Sequence, residues 1–223
     1  DFVIDNKEVG PGTTTPEGGV LFNSAISAGY NAHAEGDNTT ASGTGSHAEG
    51  SYTTASATYS HAEGSFTQAS GMYSHAEGNN THASGDGSHA EGNTTIASGE
   101  YSHAEGSSST ASGNSSHAEG TNTMASGDES HAEGIGTIAA SEAQHVQGKY
   151  NVEDASGQYA DIIGGGYSYS DRKNIHTVDW DGNGWYAGKV SAGTPESPAT
   201  PTAANDLTTK AYVDGLIPST LPN

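Results

Sequence analysis

The chain has no cysteine, so disulfides cannot staple it and its redox compartment is not legible. Large apolar side chains are almost as scarce: Leu, Ile, Val and Phe together supply 24 of 223 residues (4, 9, 8 and 3). Between Ile26 and Gly134 only Phe66 and Ile96 are of that kind, which excludes a conventional aliphatic core there. No apolar run approaches the length of a membrane span, and no signal peptide is visible, so membrane insertion is not expected. Positive charge is also missing. Six Lys and Arg stand against 27 Asp and Glu, the formal net charge is −21, and no Lys or Arg occurs between Glu8 and Gly148. That balance argues against a nucleic-acid partner, since phosphate contacts need Lys and Arg.

Low aliphatic content with high charge ordinarily signals disorder. A strict internal repeat overrides that prior. His-Ala-Glu-Gly begins at His33, His47, His61, His75, His89, His103, His117 and His131, always fourteen residues apart, and His-Val-Gln-Gly follows at His145. Between the copies Ala-Ser-Gly recurs at Ala41, Ala69, Ala83, Ala97, Ala111 and Ala125, with Ala-Ser-Ala at Ala55. Aligning the two words gives a half-unit, [Ser/Thr]-x-Ala-[Glu/Ser]-Gly-x-x, whose glycines fall seven apart from Gly36 to Gly134, with Ala57 the exception.

A helix does not suit this unit, because two glycines per fourteen residues cost roughly 1 kcal/mol each relative to alanine, and no apolar seam exists. Extended segments fit better. In Ser46-His47-Ala48-Glu49-Gly50, alternation puts Ser, Ala and Gly on one face and His and Glu on the other. In Thr67-Gln68-Ala69-Ser70-Gly71 the small face is Thr, Ala and Gly. Two faces of small residues can approach very closely. The expected object is a flattened parallel β-roll, each coil giving two strands of about five residues and two tight turns, with glycine at the bends. A three-sided hexapeptide coil needs more residues, and the calcium-binding nonapeptide roll needs an Asp at fixed places that is absent.

The outward positions of the two strands differ. One carries Thr40, Thr54, Gln68, His82, Ile96, Thr110, Met124 and Ile138, a free choice suited to solvent. The other is invariably His33, His47, His61, His75, His89, His103, His117, His131 and His145 with Glu35, Glu49, Glu63, Glu77, Glu91, Glu105, Glu119 and Glu133, ending at Gln147. An invariant outward face implies a constant environment, most simply the same face of another copy. Histidine is then the only cationic partner for the glutamates, and a buried carboxylate must be paired, hydrogen-bonded or neutralised. The two words thus read as an inter-protomer His/Glu ladder. Neutral histidine hydrogen-bonded to Glu and protonated histidine paired with it predict opposite pH trends, and the sequence does not choose between them.

The repeat, over about Ser24 to Gly148, resembles the head repeats of the YadA-like trimeric autotransporter adhesins, whose unit reads roughly Ser-Val-Ala-Ile-Gly. Here His stands for Val and Glu for Ile. The resemblance implies an all-β, left-handed parallel β-roll assembled as a homotrimer. "DRKNIHTVDWDGNGWYAGKV" (Asp171–Val190) and "NDLTTKAYVDGL" (Asn205–Leu216) resemble segments of phage and prophage tail-fibre and baseplate proteins. Together these imply a structural, receptor-binding tail-fibre component located in the virion. Its expected partners are itself, other tail or baseplate proteins and a host-surface receptor of glycan or polymer type. The bacterial cell surface, as an adhesin head, is the alternative, and a spike-type polysaccharide depolymerase the third reading.

Four segments are expected. Residues 1–23 form an N-terminal connector and 24–148 the roll. A C-terminal β-hairpin module covers 149–193. A Pro-rich linker with a short terminal segment, opening a helix at Asp206, covers 194–223. In the hairpin module Gly164-Gly165-Gly166 reads as a sharp loop. Ile175–Trp180 and Trp185–Val190 read as strands about an Asp181-Gly182-Asn183-Gly184 turn. Trp180, Trp185 and Tyr186 are the candidate core residues that the roll lacks.

No catalytic set is apparent, since scattered Ser and His make no nucleophile–base pair and paired carboxylates occur only as the repeat. No cofactor is expected. Two metal readings stand beside the structural one. The His ladder offers two donors per rung from one chain, too few by themselves. Asp179, Asp181 and Asn183 match the front of a calcium loop, but Val190 stands where its Glu belongs, so a hairpin turn is the better reading.

Overall fold

The computed structural model describes residues 25–188. The chain divides into two units, Asp1–Ala187 and Gly188–Asn223, and the roll lies in the first. The expected connector, linker and Asp206 helix fall outside the described residues. Among those described there is no helix.

The fold is a parallel β-solenoid in which each fourteen-residue step adds one strand to each of two sheets. The first His-Ala-Glu-Gly strand, β2 (His33–Asp37), is followed by β4 (His47–Ser51) and β6 (His61–Ser65), and the series runs to β18 (His145–Lys149). The second series runs from β1 (Ile26–Ser27) and β3 (Thr40–Ala41) to β17 (Ile138–Ala139), forming a nine-stranded sheet. Pairing is parallel and in register, His33 with His47 and Glu35 with Glu49, so the His, Ala, Glu and Gly of successive copies stack. The coil is less symmetric than expected, with a five-residue strand on one side and only two residues on the other.

Two features of the repeat cause this. Gly50 does not join Ser46 and Ala48 on the inner face. It is exposed, and its φ of +110° ends the alternation and turns the chain. The bends after each strand then use left-handed residues that are mostly not glycine. Tyr52, Phe66, Asn80, Thr94 and Ser108 form one column, and Tyr59, Tyr73 and Tyr101 belong to the other, all with φ between 55° and 59°. Each gives its N–H to a carbonyl of the previous coil, as Tyr52 does to Asp37 (2.8 Å) and Thr94 to Asn79 (2.8 Å). These ladder bonds hold a conformation that costs an L-residue roughly 1–2 kcal/mol. Thr94, being β-branched, is the worst suited, and Asn already fills the same column at Asn38, Asn80 and Asn122. Thr94→Asn is expected to stabilise the roll by about 0.5–1 kcal/mol, read as a raised melting temperature.

The core is made of small side chains. Ala41, Ala48, Ala55, Ala62 and their successors to Ala139 are fully buried, flanked by equally buried Thr53, Thr67 and Ser46, Ser60 columns. The serines are satisfied locally: Ser46 Oγ donates to the Gly43 carbonyl at 2.8 Å, and Ser74 and Ser88 repeat the bond at 2.6 and 2.7 Å. Two sheets carrying only Ala, Ser and Thr inward approach closely, which is how the chain forms a core with so few large residues.

The roll's C-terminal end is closed by larger groups. Val146 takes the place of alanine, Gln144 that of serine and Asn151 that of threonine, all fully buried. The next strand, β19 (Tyr159–Gly165), pairs in parallel with β18, putting Ile162 against Val146 and Gly164 against Gly148. Strand β20 (Asn174–Asp179) then adds antiparallel to β19 and β21 (Gly184–Tyr186) antiparallel to β20, so the large sheet runs on without a break across residue 148. Arg172 ties the closure together, donating to the carbonyls of Gly136 (2.8 Å) and Asn151 (3.0 Å) while lying over the Tyr150 and Tyr169 rings.

Two expectations for this region are corrected. Gly164 and Gly165 are in strand, not loop; a Cβ on Gly164 would lie 2.5 Å from the Lys149 carbonyl oxygen, so close approach of strands is what requires glycine. Trp180, Trp185 and Tyr186 are about half exposed and supply no core, which here is Ile162. The small-residue interior needed no aromatic filling.

The histidine–glutamate ladder

The five-residue strands set His and Glu side by side on the outer face of the large sheet. Parallel in-register pairing repeats this at the strand spacing. From His47 to His131 the imidazoles stack with ring centroids 4.6–4.8 Å apart and planes within 8° of parallel. The two end pairs, His33–His47 and His131–His145, tilt to 34° and 35°. Side chains of the middle rungs are about a third exposed, neither solvated nor buried.

Nine histidines face eight glutamates, and the pairing accommodates the mismatch by changing register once. His33, His47, His61 and His75 approach the Glu of their own strand, His61 Nε2 lying 3.6 Å from Glu63. His103, His117, His131 and His145 approach the Glu of the preceding strand, with His117–Glu105 at 3.4 Å and His131–Glu119 at 3.3 Å. The change falls at Glu77, which lies 3.9 Å from His75 and 4.0 Å from His89. Since Gln147 closes the series, this switch leaves no histidine without a carboxylate.

The ladder ends on a residue that the repeat did not reveal. Asp161 occupies the histidine register of the next strand, opposite His145. Its Oδ1 lies 3.0 Å from His145 Nδ1 and its Oδ2 3.9 Å from His176 Nδ1. The signal was Asp-Ile-Ile-Gly (161–164), which matches His-Val-Gln-Gly only after a step of sixteen residues.

Along the glutamate column neighbouring carboxyls shift one another's titration. Hydrogen bonding with Glu91 and Glu63, aided by burial, pushes Glu77 up to about 7. Hydrogen bonding with Glu91, then burial and Glu119, pushes Glu105 up to about 7. The partners move the other way: Glu63 is lowered chiefly by Glu77, and Glu91 by Glu77 and Glu105. Burial would raise Glu119, but hydrogen bonds from Glu105 and Glu133 outweigh it and hold it low. His61, His75, His89 and His117 are lowered, first by burial and then by neighbouring imidazoles or, for His89, by His103. The neutral imidazole is therefore favoured at these four rungs, beside carboxyls shifted alternately down and up from Glu63 to Glu119.

The fourteen-residue repeat has a counterpart among known families. The family model for the YadA head domain repeat (two copies) matches at residues 23–46, 34–56, 90–116 and 118–140. Over those residues the coils match YadA head repeats. No curated protein matches the chain. In this YadA-type head the outer strand face, apolar in the motif it resembles, has become a polar ladder.

Elsewhere on the head, the turns present exposed aromatic stacks. Tyr52 and Phe66 lie 5.0 Å apart on one edge, and Tyr59 and Tyr73 5.5 Å apart on the other. The Asp179–Asp181–Asn183 set forms a turn: Asp179 Oδ1 accepts from the Asp181 and Asn183 N–H groups at 3.0 and 2.8 Å, and Oδ2 from Asn183 Nδ2 at 2.9 Å. Those donors occupy the oxygens that a cation would need.

Proposed function

We propose that the chain is a homotrimeric attachment component of a phage or prophage-derived tail fibre. Its YadA-type roll acts as a rigid shaft or head that holds exposed turn residues and the C-terminal strands toward a host-surface glycan or polymer. The observation that carries the reading is the asymmetry of the two outer faces. The His–Glu face is invariant and only about a third exposed, as a self-association surface would be. The opposite face varies freely, with His82 and Ile96 in neighbouring coils. The resemblance of Asp171–Val190 and Asn205–Leu216 to tail-fibre segments supports the virion as location. The head of a bacterial cell-surface adhesin is the second reading, favoured by the YadA head match itself. The match and the solenoid favour a structural rather than an enzymatic role. Incubation with host polysaccharide is expected to release no fragments, and release would support the depolymerase reading.

Light scattering at neutral pH is the direct test. A particle of three times 22.5 kDa is expected. A monomer would mean that the His–Glu face is solvated and would overturn the self-association reading. Neighbouring genes distinguish the carriers: tail and baseplate genes for the fibre, an outer-membrane anchor in the same reading frame for the adhesin.

A further inference from the structure

We propose that the His–Glu face is a linear array of divalent transition-metal sites, taking about three ions per chain. Counted by rung, one chain gives only two donors, an imidazole and a carboxylate. The stacked structure removes that limit, because adjacent rungs lie close enough to share an ion. Five groups of three donors each have all their ligand atoms within 4.8 Å of one another: His61/Glu63/His75, Glu77/His89/Glu91, Glu91/His103/Glu105, Glu105/His117/Glu119 and Glu119/His131/Glu133.

Three observations point to a cation. The Nε2 atoms of His61, His75, His89, His103, His117 and His131 are shielded from solvent yet meet no hydrogen-bond partner. Each has a carboxylate oxygen 3.3–4.0 Å away, beyond good hydrogen-bonding geometry. An ion about 2.0–2.2 Å from each of two donors holds them roughly 3.3–3.5 Å apart at near-tetrahedral angles, so the gap is of the size that a bridging metal fills. Finally, the column carries carboxylates with no Lys or Arg from Glu8 to Gly148 to offset them, which a divalent ion does directly.

The donor set selects the ion. Imidazole with carboxylate suits zinc, cobalt, nickel or copper, whereas calcium and magnesium prefer oxygen alone. Stoichiometry follows from the sharing. Glu91, Glu105 and Glu119 each belong to two groups, so if one carboxylate serves one ion, at most three of the five groups fill together, for example His61/Glu63/His75, Glu77/His89/Glu91 and Glu105/His117/Glu119. Water completes each shell. Every group comes from a single chain, so the inference does not rest on the trimer.

The test uses the full chain stripped with chelator and desalted. Zinc is titrated by calorimetry, metal content is measured after a second desalting, and calcium serves as the contrasting ion. About three zinc ions per chain are expected, with calcium neither bound nor competing. Glu91→Gln with Glu119→Gln removes a carboxylate from four of the five groups and leaves His61/Glu63/His75 whole, so uptake should fall from three to one. His82→Ala, on the opposite sheet, should leave it at three. Circular dichroism checks that each variant retains the roll. Failure of the wild-type chain to retain zinc overturns the proposal. So does a folded Glu91→Gln/Glu119→Gln variant with unchanged stoichiometry, since the ions would then sit elsewhere.

Discussion

Gly92→Ala is expected to open the roll at its centre, at a cost of about 3–5 kcal/mol. Two independent demands meet at this residue. Its φ is +103°, a region that an alanine adopts only under strain, and a Cβ there would lie 2.2 Å from the carbonyl oxygen of Gly106. The obstructing atom is backbone in an in-register ladder, so it cannot swing aside as a side chain would. The repeat itself records the difference between one demand and two. The column of Gly43, Gly71 and Gly85, with close approach but no positive φ, admits Ala57 and Ser141. The column from Gly36 through Gly92 to Gly148, which carries both, admits no substitute in nine positions. Gly182→Ala is the control, because its φ is +83° but nothing lies within 4 Å, so at most about 1 kcal/mol of local strain is expected. Since each coil touches only its neighbours, Gly92→Ala should act locally. Hydrogen exchange should show protection lost around Gly78 to Gly106 and retained in the coils near either end. Wild-type protection throughout would mean that the ladder can widen without cost.

That contrast also separates what the repeat made legible from what it did not. The period, the small inner face and the variable outer positions of the second strand all follow from alternation, and the structure bears them out. Strand lengths do not follow, because alternation treats Gly50 as one more residue of the strand while its positive φ takes it out of the pattern. Glycine does serve the bends, Gly50 and its column at positive φ, but Tyr52, Tyr59 and Thr94 take left-handed places beside it, where ladder hydrogen bonds outweigh the local preference. Trp180 and Trp185 were assigned to a core on hydrophobicity alone. An interior of Ala, Ser and Thr has no space for them.

The ladder was legible as a face but not as a network. Which Glu each His approaches depends on side-chain rotamers settled along the whole stack, and the switch at Glu77 arises from nine histidines meeting eight glutamates. Asp161 was hidden by an insertion of two residues. Two donors per rung is the correct count, but a group of three donors drawn from adjacent rungs is invisible when each repeat is read alone.

Replacing Glu77 and Glu105 with glutamine should stabilise the chelator-stripped protein at pH 8 and change little at pH 5. Both groups are raised in the folded roll from 4.5 to about 7, so the stability they contribute is fully present below pH 4.5 and is lost as pH rises toward 7. The lowered histidines act oppositely. His61, His75, His89 and His117 contribute stability that is present above pH 6.5 and lost as pH falls. The wild-type chain therefore has two opposing slopes between pH 4.5 and 7, and its melting temperature alone does not separate them. Glutamine separates them, since its amide keeps a donor toward a neighbouring carboxylate, as the protonated carboxyl does, but has no proton to lose. At pH 5 variant and wild type present the same neutral groups to their neighbours and to His75 and His89. At pH 8 the wild-type column is ionised throughout, and the variant escapes the like-charge repulsion. The carboxyls are about a third exposed, so solvent screening reduces the gain to about 1 kcal/mol per site. Melting temperatures of both proteins at pH 5 and pH 8 check it. Glu91→Gln with Glu119→Gln should instead lower the melting temperature at pH 5, where the ionised Glu91 and Glu119 accept from the protonated Glu77 and Glu105, whereas at pH 8 it too relieves like-charge repulsion. Equal behaviour of the two double variants would mean that the glutamates titrate independently, and that the alternating shifts along the column do not form.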